Sequence, residues 1–376
     1  RRQRQMCIRD RAREGEGRWY GFDLQLAIYA LSLTVIGLLM AFTNSGGEPL
    51  RPNSVFVRGL IWLALAAIVF VATAAADHHW LRTFAWPIYG FSIALLLLTL
   101  VVGGGVGGVQ RWVSVFGLQF QFSEVAKILL AVVLAHYLAT RSRDIGSFRT
   151  LVGAGLIVAP LLALVLIQPD LGTSLVFGAI MLGSLFFAGA SLRWLTVTVL
   201  GVLAMVPVAW QFILRDYQKQ RLVSFLDPGA DPLGSGFQLQ QSQITVGSGG
   251  LFGRGLTNSL AGQNLPVGST DFVFAHVGEQ LGFLGGSVVL VLFALLIWRV
   301  LHVGWSSGDT FTLAFSGGIA GMLLFQMIVN IGMVLGAMPI TGLPLPFVTY
   351  GGASLLSAAL GLGILESLAM RRSRST

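Results

Sequence analysis

Long apolar runs separated by short polar or glycine-rich breaks fill the chain from residue 22 onward. Run after run reaches the roughly 20 residues that a helix needs to cross about 30 Å of hydrocarbon, where backbone groups have to satisfy one another within the helix. Ten such helices are predicted, near residues 22–43, 55–76, 83–103, 122–140, 150–168, 172–190, 194–214, 272–301, 311–336 and 353–370. The fold class that follows is an all-α integral membrane protein. Its ten transmembrane helices form one domain over residues 22–370, with a large extracytoplasmic loop, 215–271, between the seventh and eighth. That loop is too long for a passive connection. It carries Phe225, Phe237, Leu239, Ile244, Leu251 and Phe252, which a disordered tether would not need, so it is expected to fold as a cap on or in the outer leaflet.

Composition agrees with the pattern. Hydrophobic side chains make up 55% of the 376 residues and charged ones 11%, with a mean hydropathy of +0.78, against roughly 25% charged in soluble domains. Sixteen of the 24 Lys and Arg residues fall on one side of the topology: seven in the leader 1–21, then Arg82, Arg141, Arg143, Arg149, Arg193, Arg299, Arg371, Arg372 and Arg374. Positive charge stays cytoplasmic, so both termini are expected there, including the tail 371–376. The net charge of +8 therefore needs no nucleic acid, and anionic membrane lipids are its natural counter-charge. The leader has no apolar periodicity and begins at Arg rather than Met, so part of it is open to being a non-native extension. The first apolar run is too long for a cleavable signal. The one cysteine, Cys7, gives no disulfide or thiolate metal site to expect.

Ionisable groups in or beside apolar spans are costly and therefore candidates for function. Glu124 and Lys127, in FSEVAKILL, share a helix face at i and i+3. They read as a pair that neutralises itself for insertion or as the lining of a polar cavity, two compatible roles. Asp170, in IQPDLGTS, is placed to cap the next helix. Asp271 stands where the long loop re-enters the membrane, in STDFVFAHVGEQLG. It reads equally as an N-cap and as a general base desolvated beside Phe272 and Phe274. Gly103, Gly105 and Gly108 form a G-x-G-x-x-G string without the βαβ unit a dinucleotide site needs, so they mark a loop. The segment GSGGLFGRG, 247–255, reads as a flexible turn or as a cradle offering N–H groups and Arg254 to a phosphate. Among the histidines only His276, one turn beyond Asp271, has a functional reading beside the plainer one of a packed residue.

Taken in order, GFQLQQSQITVGSGGLFGRGL, STDFVFAHVGEQLG and MPITGLPLPFVTYGGASLL resemble the SEDS family of RodA, FtsW and SpoVE. The resemblance runs over the chain after the leader, through RWVSVFGLQFQFSEVAKI and QPDLGTSL. It implies a peptidoglycan glycosyltransferase in the cytoplasmic membrane that polymerises lipid II at the outer face and releases undecaprenyl pyrophosphate, with a class B penicillin-binding protein as partner. It gives Asp271, with Thr270 and Phe272, the place of the family's essential aspartate, deprotonating the acceptor 4-hydroxyl as it attacks the anomeric carbon with inversion. It implies a cavity lined by Glu124 and Lys127, and makes Arg111, Arg221 and Arg254 candidates for the phosphates. It leaves room for a divalent cation, Mg2+ or Mn2+, of unknown ligands. PLPFVTYGG, Pro344 to Gly352, would shape the outer cavity.

The chain departs from the family pattern before TDF, where Gly268 and Ser269 replace an acidic residue and a histidine common in relatives. Of a commonly paired acidic site only Glu279 carries over, as a cavity residue, because Gln280 follows it. The FDLQL opening and the short tail RRSRST look more like RodA than FtsW. A lipid-substrate transporter would also use charges inside ten spans, but no internal repeat is found. A scaffold would not explain Asp271.

Overall fold

The computed structural model describes residues 21–45, 49–51, 54–104, 111–115, 118–232, 234–256 and 271–372. The leader to residue 20, Gly105, Gly108 and Thr270 lie outside them. Among the described residues ten helices are long and apolar enough to cross a membrane, so the chain is a multi-pass membrane protein. The first elements are α1 (Leu24–Thr43), α2 (Val55–Ala75), a short α3 (His78–Thr83), α4 (Ala85–Val102) and an antiparallel hairpin, β1 (Val113–Val115) with β2 (Leu118–Phe120). Then come α5 (Phe122–Thr140), α6 (Phe148–Ile167), α7 (Leu171–Ala188), α8 (Leu192–Ala204) and α9 (Val206–Phe212). The long connection folds into α10 (Asp216–Leu226) and α11 (Ser235–Ser248), before α12 (Val273–Ser307), α13 (Thr310–Val334) and α14 (Gly352–Arg372). Asp23, Ser54, Ser147, Asp170 and Asp309 begin α1, α2, α6, α7 and α13 by accepting a first-turn N–H, each cap worth about 1 kcal/mol.

The sequence pattern missed α3 and the hairpin, and two predicted spans are not continuous. The seventh divides into α8 and α9 because Pro207 lies in the first turn of α9, where its missing N–H costs nothing but the preceding helix cannot run through it. The eighth is broken at Gly282, whose φ of 68° and ψ of −164° belong to a region essentially reserved for glycine. The break strands carbonyls before it and amides after it, and the glycine-rich loop 249–255 satisfies both. The N–H groups of Arg254 and Gly255 donate to the carbonyls of Glu279 and Gln280 (2.9 and 3.2 Å). In return the N–H groups of Phe283 and Leu284 donate to Gly250 and Leu251 (2.9 and 3.2 Å). A Cβ on Gly253 would sit 2.1 Å from the Gln280 carbonyl oxygen, so side chains are excluded there.

Burial ranks the spans. In Gly352–Met370 83% of the residues are buried, against 6% in Leu192–Phe212, so α14 is core and α8–α9 is periphery. At the centre α13 crosses α7 through small residues. A Cβ on Gly183 would stand 2.4 Å from the Gly317 carbonyl oxygen, and one on Gly321 2.7 Å from that of Ala179. This is the small-xxx-small contact by which transmembrane helices approach when no hydrophobic effect drives them together.

Candidate active site

Helices α5, α7, α12 and α14 run in the same direction, and all four begin around one polar cavity of about 240 Å³. Their N-termini bring the positive ends of their dipoles to the same region. Gln121 and Glu124 come from the start of α5, Asp170 and Thr173 from α7, Asp271 from the turn before α12, and Ser354 from α14. Arg111 and Trp112 reach in ahead of the hairpin, Arg221 from α10, and Thr341, Gly342, Pro344 and Thr349 from the segment joining α13 to α14. Four residues singled out in the sequence, Asp271, Glu124, Arg111 and Arg221, thus meet on one wall system although they are up to 160 positions apart.

The two arginines are held mainly by neutral acceptors. Arg111 donates from Nε to the Gln168 carbonyl (2.9 Å) and from Nη2 to the Tyr217 hydroxyl (3.1 Å), which itself donates to the Pro169 carbonyl (2.6 Å). Its carboxylate neighbour Asp170 is 4.0 Å away. Arg221 donates to the Ile340 carbonyl (3.4 Å) and lies over the Tyr217 ring. Burial, and next to it the Arg111 charge, pull the Arg221 guanidinium below its ordinary value against the opposing pull of Tyr217, Asp271 and Asp170. An arginine remains charged through such a shift, so the result is a partly desolvated cation poised for an anion. Asp170 does the capping expected of it, accepting from the Thr173 N–H at 3.2 Å, and it also accepts from Gln121 at 3.0 Å on the cavity wall.

Asp271 does not occupy the cap position of α12, which falls on Phe272 and makes no side-chain cap. Its half-buried side chain lines the cavity instead. Opposite it, Gly342 has φ +73°, and a Cβ there would stand 3.4 Å from Oδ2 of Asp271 and 3.9 Å from Nη1 of Arg221. Glu124 is locked to Lys127 at 2.7 Å, with side chains 3% and 1% exposed, and Ser357 donates to the same carboxylate at 3.4 Å. Lys127 is therefore the buried partner of a cavity residue.

Lys127 thus stands behind the wall rather than on it, and two further expected cavity residues are not brought there either. Arg254 is exposed, and its Nε donates to the Ser248 carbonyl at 3.1 Å, because its loop is occupied in mending the break at Gly282. The amides of Arg254 and Gly255 are spent on that task, which removes the phosphate-cradle reading of 247–255. Glu279 is fully buried inside α12 and does not line the cavity. His276 is buried too, with both ring nitrogens lacking a hydrogen-bond partner among the described residues. The PLPFVTYGG motif does line the cavity, through Pro344 and Thr349, whereas Gln121, Thr173 and Thr341 are neutral and carried no charge signal in the sequence.

Among the described residues no three His, Cys, Asp or Glu side chains converge as a protein-built metal site. Mg2+ needs less, since it keeps its waters and takes one or two carboxylates plus substrate phosphates. The cavity wall fits that mode: Arg111 and Arg221 are matched in charge by Asp170 and Asp271, and Lys127 by Glu124, so an arriving pyrophosphate would bring uncompensated negative charge.

Fold and cavity together define a polytopic membrane protein with a charged pocket, lined by two arginines and their carboxylate neighbours, at one end of its bundle. Residues 24–374 match the FtsW, RodA and SpoVE family model, described as cell cycle protein, and the chain belongs to that family. Peptidoglycan glycosyltransferase MrdB of Escherichia coli (strain K12) is 36% identical over 355 residues, 93% of this chain and 94% of MrdB. Probable peptidoglycan glycosyltransferase FtsW of Coxiella burnetii (strain RSA 493 / Nine Mile phase I) is 37% identical over 366 residues, 93% of this chain and 96% of that protein. A solved chain from a peptidoglycan synthase complex, described as structurally coordinating polymerization and crosslinking, superposes with a TM-score of 0.79 at 32% identity, covering 93% of this chain and 98% of that one.

Proposed function

We propose that this chain is a peptidoglycan glycosyltransferase that polymerises lipid II at the outer face of the cytoplasmic membrane. The observation that carries the reading is Asp271 lining the same cavity as Arg111 and Arg221, in a chain whose relatives include named peptidoglycan glycosyltransferases. The acceptor sugar's 4-hydroxyl gives its proton to the Asp271 carboxylate while its oxygen attacks the anomeric carbon of the donor. The configuration inverts, and undecaprenyl pyrophosphate leaves with the bonding pair. Arg111 and Arg221 offset the charge growing on that leaving group, aided by the convergent helix N-termini. A divalent cation held by Asp170 and the substrate's phosphates, leaving Asp271 free to take the proton, would add Lewis-acid stabilisation of the same charge.

The cavity end faces outward in this reading, with both termini cytoplasmic, which is supported by the Lys and Arg bias and by where the soluble sugar and the buried prenyl chain have to lie. Likeness to a chain of a peptidoglycan synthase complex supports a class B penicillin-binding protein as partner. The elongation role of RodA, over the division role of FtsW, rests on the RodA-like FDLQL opening of the first span, since relatives of both types are similarly identical.

The test is lipid II polymerisation by the purified protein with its penicillin-binding partner, comparing wild type with Asp271→Asn. A base contributes roughly 10²- to 10⁴-fold, so the variant is expected to lose polymer by that factor while still folding and holding its partner. Full polymerisation by the variant would reduce Asp271 to a structural residue.

A further inference from the structure

Asn330 lies near the end of α13, fully buried, where its amide joins two segments of the cavity wall. Its Nδ2 donates to the backbone carbonyl of Asp271 at 2.8 Å and to that of Leu343 at 2.8 Å. Two carbonyl oxygens can be served at once only by an NH₂ group, so the orientation of the amide follows from its neighbours. Its Oδ1 is buried without a hydrogen-bond partner among the described residues, a desolvation cost that an apolar side chain would avoid. The chain bears that cost at the point where the Asp271 turn meets the loop carrying Gly342 and Pro344, both cavity residues.

We propose that Asn330 is a positioning residue for the glycosyl transfer. It clips the Asp271 turn to the 341–345 wall and so fixes where the Asp271 carboxylate stands relative to Gly342 and Arg221. Neither carbonyl belongs to regular structure that would hold it otherwise: Asp271 precedes α12 and Leu343 lies in the extended stretch before Phe347. Without the clip the direct tie from α13 to both turns is lost. A general base that drifts by about 1 Å loses on the order of 10²-fold in rate with little change in substrate affinity. The inference rests on the reading of Asp271 as the base.

The experiment measures kcat and KM for lipid II in the complex with the penicillin-binding partner for wild type, Asn330→Leu, Asp271→Asn and the double variant, with thermal unfolding of each. Asn330→Leu is expected to lower kcat by roughly 10- to 100-fold with KM within about twofold, and to cause little further loss in the Asp271→Asn background, since it acts through that carboxylate. If the leucine variant does not fold, Asn330→Asp, which keeps the shape but sets a carboxylate against two carbonyls, goes through the same assay. A folded variant with wild-type kcat overturns the proposal, and so does an equal further loss in the Asp271→Asn background. Full activity of Asp271→Asn alone is a different failure: it removes the base and leaves Asn330 nothing to position.

Discussion

The two ends of the bundle carry similar sets of charges and use them in opposite ways. Away from the cavity, Arg299 donates from Nε to both carboxylate oxygens of Asp23 (2.9 and 2.7 Å), and the Asp23 amide donates to Glu366. This ties the start of α1 to α12 and α14. Nearby, Arg82 pairs with Asp309 and covers the Phe311 ring, which ties the α3 turn to α13. These charges neutralise one another and join helices. At the cavity end Arg111 and Arg221 are fixed by carbonyls and a tyrosine hydroxyl, and the nearest carboxylate to Arg111 is 4.0 Å off. A guanidinium positioned by neutral acceptors is rigid, and although Asp170 and Asp271 balance the charge across the wall, both guanidinium groups still face the cavity. One end is built to hold the bundle and the other to receive a ligand, and each substitution below separates stability from activity along that line.

The largest effect is expected where the two uses meet, at Glu124 and Lys127. Removing one member of a buried pair leaves an uncompensated charge, so Lys127→Met is expected to cost about 3–5 kcal/mol, read as a fall in the unfolding midpoint in detergent. The double variant Glu124→Gln with Lys127→Met should recover most of that stability, because neutral groups of similar volume often replace a buried pair without loss. It should nevertheless polymerise poorly, since Glu124 lines the cavity. A stable and fully active double variant would reduce the pair to a device for membrane insertion.

A smaller effect is expected at the opposite end. Arg299→Gln removes the charge-assisted hydrogen bond that Nε shares between the two Asp23 oxygens, and with the arginine side chain 27% exposed the expected loss is about 2 kcal/mol. Turnover per folded molecule should match wild type. A disproportionate loss of turnover would couple the two ends and break the comparison.

The sequence made the fold legible because ten apolar runs have few other destinations, and it made the site legible where charge stood out against them. Asp271, Glu124, Arg111 and Arg221 were visible for that reason, and so was the Glu124–Lys127 pairing, which i, i+3 spacing permits. What escaped was decided by backbone. The break at Gly282 looks in sequence like any tolerated helix glycine, and only its partner loop, far earlier in the chain, reveals that 249–255 is committed to it. Arg254 belongs to that loop and is exposed, while Glu279 is buried inside α12. Asn330 is a neutral residue in an apolar run and gave no signal until two distant carbonyls converged on it. The contact between α7 and α13 is carried by the small-residue spacings Ala179–Gly183 and Gly317–Gly321, which stand out little within apolar runs.

The smallest expected effect is a pH dependence at the holding end. Burial pushes the Asp309 carboxyl up, but hydrogen bonds from Thr312 and the Arg82 charge outweigh it and leave it below its ordinary value. A carboxyl depressed in the fold contributes stability that is present above its unfolded value, near 3.9, and is lost as pH falls through the lower folded one. At neutral pH the contribution is complete, so the unfolding midpoint should be flat there and decline only in the acid range. Both side chains are about a third exposed, so water and salt screen the pair and the decline should be shallow. Arg82→Gln should lower the neutral-pH midpoint slightly and flatten its acid slope, because the depressing charge is gone while the Thr312 bonds remain. A slope unchanged by that substitution would assign the acid sensitivity to another carboxylate and leave Arg82 holding α13 through the Phe311 ring alone.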